Sequence, residues 1–256
     1  MLFDAHAHLC HCPPLDFEFW SGIATFCTKD EWISFHQFHQ KSEKMLKSFG
    51  VHPQFFLKYG QKDAEATLDF LRFLLEKDDI FAIGEIGFDF FTKEFKSTRT
   101  TQEDFWKRQL SLALQFEKPV ILHVRKAMEM IFLNASTLKK LPAVVFHSFS
   151  GSKNDAKSIL KHGVNAFFSF GKHQILNKKK ASVDFLKHWN DFPNRILFET
   201  DAPYQTLKGE TKTDPKEIKK VYEEASIIAG KDLEENAFES AKKLLLDCGK
   251  NDLEML

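Results

Sequence analysis

His6 and His8 are separated by one residue at the end of a short, mostly apolar run that begins at Leu2. On a strand, side chains alternate between faces, so both imidazoles project the same way. Two neutral imidazoles side by side make half of a metal site. The same device recurs along the chain. Glu85 closes the apolar run from Ile80, His123 the run from Pro119, His147 the run from Ala143, and Asp201 the run from Arg195. Taken singly, a histidine at a strand end is more often hydrogen-bonded than metal-bound, and Glu85 or Asp201 reads as a loop acid or a turn cap. All six together, at the ends of otherwise apolar runs, point to one convergent site.

For these residues to meet, the runs must be parallel strands whose C-terminal ends open on one face. The patterning predicts eight strands: Leu2–His8, Gly22–Cys27, Met45–Val51, Ile80–Glu85, Pro119–His123, Ala143–His147, Val164–Phe170 and Arg195–Asp201. Apolar stripes of helical period predict helices over Glu31–Lys44, Asp63–Lys77, Thr101–Phe116, Lys126–Ala135, Ser152–Lys161, Lys178–Trp189, Pro215–Ala229 and Leu233–Cys248. Between the first two strands, Pro13 and Pro14 forbid a helix, and Asp16–Trp20 leaves room for one turn. The expected fold class is α/β, a (β/α)8 TIM barrel with a shortened first βα unit, forming a single domain over residues 1–256. Alternation then pairs Ile83 with Glu85, Ile121 with His123 and Val145 with His147, each candidate ligand one layer above an inward apolar residue. A doubly wound open sheet would need a Gly-rich phosphate turn after the first strand, and none is there.

Composition bounds the function classes. The 256 residues are 43% hydrophobic with 28 phenylalanines, enough for a large core. Formal net charge is zero, so no bulk field draws the chain to nucleic acid or anionic membrane, although phosphate can still be bound locally. No apolar run approaches the roughly 20 residues that cross a bilayer. The cysteines Cys10, Cys12, Cys27 and Cys248 form no CxxC pair, and nothing before Leu2 reads as a secretory signal. These features predict a soluble, cytoplasmic protein with no membrane association and no obligate protein partner. Cys10-His11-Cys12 has metal-ligating residue types but no second ligand pair, and reads as a loop with incidental thiols. His36 and His39, three apart on a predicted helix, read as solvated or packing residues.

Four imidazoles and two carboxylates exceed what one tetrahedral ion takes. They suit two adjacent ions sharing a carboxylate, about 3.5–4 Å apart, with a hydroxide between them. Such a centre hydrolyses a phosphoester or an amide without a serine or cysteine nucleophile.

The stretches around these residues resemble a known family. Phe3-Asp-Ala-His-Ala-His-Leu9, Gly50-Val-His-Pro53, Ala82-Ile-Gly-Glu-Ile-Gly-Phe-Asp89, Lys118-Pro-Val-Ile-Leu-His-Val-Arg125, Phe146-His-Ser-Phe-Ser-Gly151 and Phe198-Glu-Thr-Asp-Ala-Pro-Tyr204 are similar, in order, to the TatD family of metal-dependent hydrolases within the amidohydrolase-like barrels. The resemblance runs from Leu2 to about Leu246. It implies two divalent metal ions, one held by His6, His8, Glu85 and Asp201 and the other by Glu85, His123 and His147, with Glu85 bridging. It also implies that Asp201 orients the attacking water and accepts its proton. Members are described as Mg2+-dependent deoxyribonucleases, often 3′–5′ exonucleases on single strands, and some hydrolyse other esters. DNA is therefore the expected substrate, with a small ester, lactone or amide as the alternative. Imidazole-rich ligation by itself favours Zn2+, Mn2+ or Fe2+ over Mg2+, so the metal stays open among Mg, Mn and Zn.

Further residues carry expectations of their own. His52 after the third strand and Arg125 two residues past His123 are candidates for holding phosphate, since an arginine fork matches phosphate oxygens. Arg125 could equally pair with a rim acid. Glu199, two before Asp201, rivals it as a ligand, and the preferred role is to orient a histidine N–H. Lys178-Lys179-Lys180 reads as a solvated helix start. The chain departs from the family pattern in its Pro-Pro loop, where Phe17, Phe19 and Trp20 would have to cover the barrel wall, and in a short segment after Tyr204. Phe90 and Ser148 stand where Tyr and Cys are frequent. None of these departures touches a candidate ligand, but the first two could reshape the substrate groove.

Overall fold

A computed structural model describes residues 2–13, 21–38 and 45–251. The first half runs β1 (Phe3–Ala7), β2 (Ser21–Phe26), α1 (Lys29–Phe38), β3 (Leu46–Phe49), α2 (Phe55–Glu76), β4 (Ala82–Asp89), α3 (Lys93–Ser97), α4 (Arg99–Gln115) and β5 (Val120–Arg125). The second runs α5 (Met128–Leu133), α6 (Ala135–Leu138), β6 (Val144–Phe146), α7 (Lys153–Lys161), β7 (Ala166–Gly171), α8 (Lys172–Leu176), α9 (Lys180–Leu186), β8 (Ile196–Glu199), α10 (Ile218–Ala229) and α11 (Glu234–Asp247). The strands pair in sequence order and β8 returns to β1, so the sheet is a closed parallel barrel, as the alternation of strand and helix predicts. The expectations for residues 14–20, and for His39, lie outside the described residues. Among the described residues the β1–β2 connection holds one 3-10 turn, Leu9–His11. No helix among the described residues is long and apolar enough to cross a membrane.

The barrel interior is layered. Ile23, Leu46, Ile121, Val145, Phe167 and Leu197 form one buried apolar cluster, joined by Ala241, Leu244 and Leu245 of α11. Two residues further along the chain stand Thr25, Ser48, His123, His147, Ser169 and Glu199. Period-two alternation therefore sets a polar layer directly above an apolar one. The other faces of the strands, with Phe26, Phe49, Val120, Leu122 and Phe168, pack under the helices in a second, larger cluster. Fully burying each such aromatic contributes about 1.5–3 kcal/mol.

Local sequence explains several boundaries. Ser152 caps α7, its hydroxyl accepting from Asp155 N while the Asp155 carboxylate accepts from Ser152 N, a reciprocal capping box. Gly230 ends α10 in the left-handed conformation at φ 67°. Helix α2 starts at Phe55, earlier than the expected Asp63, because a kink at Gly60 (φ 82°) separates a short opening segment from the amphipathic body. The short helices α3 and α8 carry too few residues for an apolar stripe to show.

Two expectations about β4 are corrected. The strand does not end at Glu85 but runs on to Asp89. Nor does Ile83 share a face with Glu85. Ile83 pairs with Val120 and Ile86 with Leu122, so three steps on β4 match two on β5, and the register shifts between them. Ile83 and Ile86 both pack in the outer cluster, leaving Glu85 in the irregularity between them. A bulge of this kind re-aims a side chain that strict alternation would send to the other face.

Candidate metal centre

Glu85 is the hub of the barrel mouth. One oxygen, Oε2, lies 3.2 Å from His6 Nε2 and 3.4 Å from His8 Nε2. The other, Oε1, lies 2.8 Å from His123 Nδ1, 3.2 Å from His52 Nε2 and 3.3 Å from His147 Nε2. On the Oε2 side, Asp201 Oδ1 stands 3.6 Å from both His6 Nε2 and His8 Nε2. All six sequence-predicted ligands are thus brought together, and His52 joins them.

Four of the five imidazoles are held from behind. His6 Nδ1 meets Thr25 Oγ1 at 3.1 Å, and that hydroxyl meets Ser48 Oγ at 2.9 Å, which leaves Nε2 to face the mouth. His52 Nδ1 accepts from Gln54 N at 3.1 Å. His147 Nδ1 lies 2.8 Å from Glu199 Oε1, within ion-pair distance although not in line for a ring N–H hydrogen bond. His123 Nε2 lies 3.2 Å from Asp89 Oδ2, which also accepts from Gln54 Nε2 at 2.7 Å. Asp201 sits at φ 54° just past β8, its N–H donating to His6 O at 2.9 Å and its carboxylate accepting from Gln205 Nε2 at 3.2 Å. Ligand-supporting contacts of this type fix ring orientation and tautomer.

Close backbone approach makes β4 possible. Gly87 has φ +136°, and a Cβ there would stand 2.2 Å from His123 O. A Cβ on Gly84 would stand 2.6 Å from the Ile121 side chain. Only glycine lets β4 and β5 close on each other here.

The electrostatics are those of carboxylates enclosed by imidazoles. Burial alone would raise the Glu85 carboxyl, but His147, His52 and His6 hold it well below the usual range. Burial would lower His147, yet Glu199 and Glu85 more than offset that and push it up to about 10. Against its burial, Glu199 is held down to about 2, chiefly by His147. Burial dominates at His6 and His52 and lowers both. His8 and His123 are raised despite burial, His8 by Glu85 and Asp201 and His123 by Asp89 and Glu85. Asp89 is lowered to about 2 against its burial, with His123 and Gln54 as the main causes. Crowded imidazole nitrogens and carboxylate oxygens are the donor types that a divalent metal takes. Three overlapping sets have donor atoms within 4.8 Å of one another: His6, Glu85 and His147; His6, His8 and Asp201; His52, Glu85 and His123.

Above the donors opens a cavity of about 520 Å3. His8, His52, Glu85, His123, His147 and Asp201 form its floor, and Phe55, Leu57, Lys58, Tyr59, Phe95 and Tyr204 its walls. Arg125 is not among the lining residues. It is exposed, its guanidinium 3.7 Å from the centroid of the Phe91 ring. Asp89 and Gln54 are contributors that sequence reasoning misses. The available signal for Asp89 is a carboxylate inside the fully buried run Ala82–Asp89.

A closed parallel barrel whose mouth gathers imidazoles around a shared carboxylate is the architecture of metal-dependent hydrolases. Comparison with known proteins makes this specific. A family model described as TatD related DNase matches residues 3–244, and the chain belongs to that family. It is a metal-dependent hydrolase acting on ester bonds. An uncharacterized metal-dependent hydrolase of Mycoplasma pneumoniae is 31% identical over 220 residues, covering 79% of this chain and 81% of that protein. A 3′–5′ ssDNA/RNA exonuclease TatD of Enterobacter lignolyticus is 32% identical over 169 residues, 64% of this chain and 60% of that one. Among solved structures, the TatD homolog YJJV of Escherichia coli K12 superposes with a TM-score of 0.79 at 21% identity, covering 95% and 96% of the two chains, which bears on the fold.

Proposed function

We propose that the chain hydrolyses phosphodiester bonds of DNA, acting as a 3′–5′ exonuclease on single strands. The observation that carries the reading is the division of donors at Glu85, with His6 and His8 on one oxygen and Asp201 beside those two rings, and His123, His147 and His52 on the other. In this reading His6, His8, Glu85 and Asp201 hold one divalent ion, Mg, Mn or Zn, and Glu85, His123 and His147 hold a second. Bound there, the ions would lower the pKa of a water and neutralise charge on a phosphoryl oxygen. Asp201 accepts the proton of the attacking water, while Glu199 and Asp89 keep His147 and His123 aimed inward. His52 contacts a phosphate oxygen from the cavity floor. For Arg125 to do so at the rim, its guanidinium must leave Phe91.

The walls support a nucleic-acid strand. Tyr204 and Tyr59 are half-exposed aromatic surfaces on which a base can stack, and the Lys58 ammonium stands 4.7 Å from the Tyr59 ring centroid. The relatives named as ssDNA/RNA exonucleases point the same way. The proposal includes a cytoplasmic working place, in keeping with four free cysteines.

A cavity of about 520 Å3 with Phe55, Leu57 and Phe95 in its walls also favours a second reading, a small ester, lactone or amide cleaved at the same floor. The deciding experiment incubates metal-loaded protein with end-labelled single-stranded oligonucleotides and, in parallel, with a panel of small esters and lactones. Stepwise shortening from the 3′ end is the expected result. Turnover of small esters with intact oligonucleotides would overturn the DNA reading in favour of the second.

A further inference from the structure

Outside the barrel mouth, the described residues hold one more group of mixed metal-ligating side chains. The 3-10 turn Leu9–His11 presents Cys10 and His11 to α1, which supplies Glu31. Ligand atoms of Cys10, His11 and Glu31 lie within 4.8 Å of one another. His11 Nε2 and Glu31 Oε1 are 3.0 Å apart, a direct hydrogen bond that must open by a few tenths of an ångström to admit an ion. Donors around one tetrahedral zinc ion stand roughly 3.3–3.8 Å from each other, given bonds of 2.0–2.3 Å. The structure supplies one ligand from outside the Cys-His-Cys run, Glu31, where the run by itself has no second ligand pair. It also removes Cys12 from the group, since that thiol is turned to donate to His8 O at 3.7 Å.

The arrangement is pre-set on the carboxylate side. Glu31 Oε2 accepts from Cys27 N at 2.6 Å and from Thr28 N at 3.1 Å, which fixes the carboxylate and leaves Oε1 facing His11. Beside the three donors lies a hollow of about 550 Å3 whose lining includes Asp30 and Asp63. There is room for a water to complete the coordination, and the carboxylates of Asp30, Glu31 and Asp63 outnumber the one ammonium in the lining, Lys29, which favours a cation over an anion. A thiolate, an imidazole and a carboxylate select a borderline divalent ion, not Mg2+ or Ca2+.

We propose that Cys10, His11 and Glu31 form a separate site for Zn2+ or a zinc-like divalent ion, tying the turn after β1 to the start of α1. The proposal is independent of which substrate the barrel mouth takes. Cobalt(II) is the probe, because only a thiolate ligand adds a near-ultraviolet sulfur-to-cobalt band, and no cysteine is proposed as a ligand at Glu85. The full-length protein is titrated with Co2+ and followed by absorption and by bound metal per chain. The band is expected in the unaltered protein and should vanish in Cys10→Ser, with one fewer bound equivalent. It should weaken at least about tenfold in apparent affinity in His11→Ala and persist in Cys12→Ser and Cys27→Ser. Circular dichroism establishes that each variant is folded, and Cys10→Ala serves if Cys10→Ser is not. Absence of the band in the unaltered protein, its survival in the Cys10 variants, or its loss in Cys12→Ser or Cys27→Ser alone would overturn the assignment.

Discussion

Glu199 Oε1 stands 2.8 Å from His147 Nδ1, on the opposite side of the ring from Glu85. The same oxygen accepts from Ser148 N at 2.9 Å and Ser148 Oγ at 2.7 Å, so the carboxylate is fixed before the imidazole leans on it. Glu199→Gln keeps an acceptor for Ser148 and removes the charge. Its expected effect is a loss of about 10–100-fold in affinity for one metal ion with the fold intact. Activity measured against metal concentration checks this. Excess metal should restore most of the turnover, and an unchanged activation curve would show that Glu199 plays no such part.

Glu85→Ala tests the hub itself. Removing the carboxylate takes away the one group that five imidazoles share. Turnover should fall on the order of 10³-fold or more, because the loss reaches both sides of the centre. Calorimetric metal titration should show weakened binding at every equivalent held by the barrel mouth. Full activity in this variant would refute the bridging role.

Much of this architecture is legible before any coordinates. On β5 and β6 the alternation holds, so Ile121 and Val145 predict the inward aim of His123 and His147. On β4 it fails, because a register shift is a property of two strands and leaves no mark in the period of one. Glu85 reaches the mouth through a bulge that its neighbours do not announce. The role of Asp89 is hidden for a related reason. Its partners Gln54 and His123 are 35 and 34 residues away, joined only when β4 closes on β3 and on β5. Arg125 shows the opposite failure, since its residue type suggests phosphate while its position offers the Phe91 ring.

Chelation should destabilise the protein as well as silence it. His6 is fully buried and Glu85 nearly so, and a metal bound to them is bound by the folded state alone. An ion present at a hundred times its Kd adds about 2.7 kcal/mol. For a chain of this size that corresponds to about 5–10 °C in Tm. Scanning calorimetry with chelator and then with restored Mg2+, Mn2+ or Zn2+ checks the prediction and ranks the metals. A Tm indifferent to all three would argue against a folded-state metal centre.

Gly87 and Gly163 separate backbone freedom from close approach. Both have positive φ, +136° and +82°, yet a Cβ on Gly87 would meet His123 O at 2.2 Å whereas one on Gly163 would meet nothing within 4 Å. Gly163→Ala therefore carries conformational strain alone, about 1 kcal/mol. Gly87→Ala adds a backbone collision on the carbonyl of a candidate ligand and should cost at least about 3 kcal/mol. Because β4 must retreat from β5 to relieve that collision, the distance between Glu85 and His123 should lengthen too. Denaturant unfolding of the two variants reads the first effect and metal affinity the second, with Gly163→Ala binding metal as the unaltered protein does. Equal destabilisation of the two variants, or unaltered metal affinity in Gly87→Ala, would mean that the contact of β4 with β5 at Gly87 does not position His123.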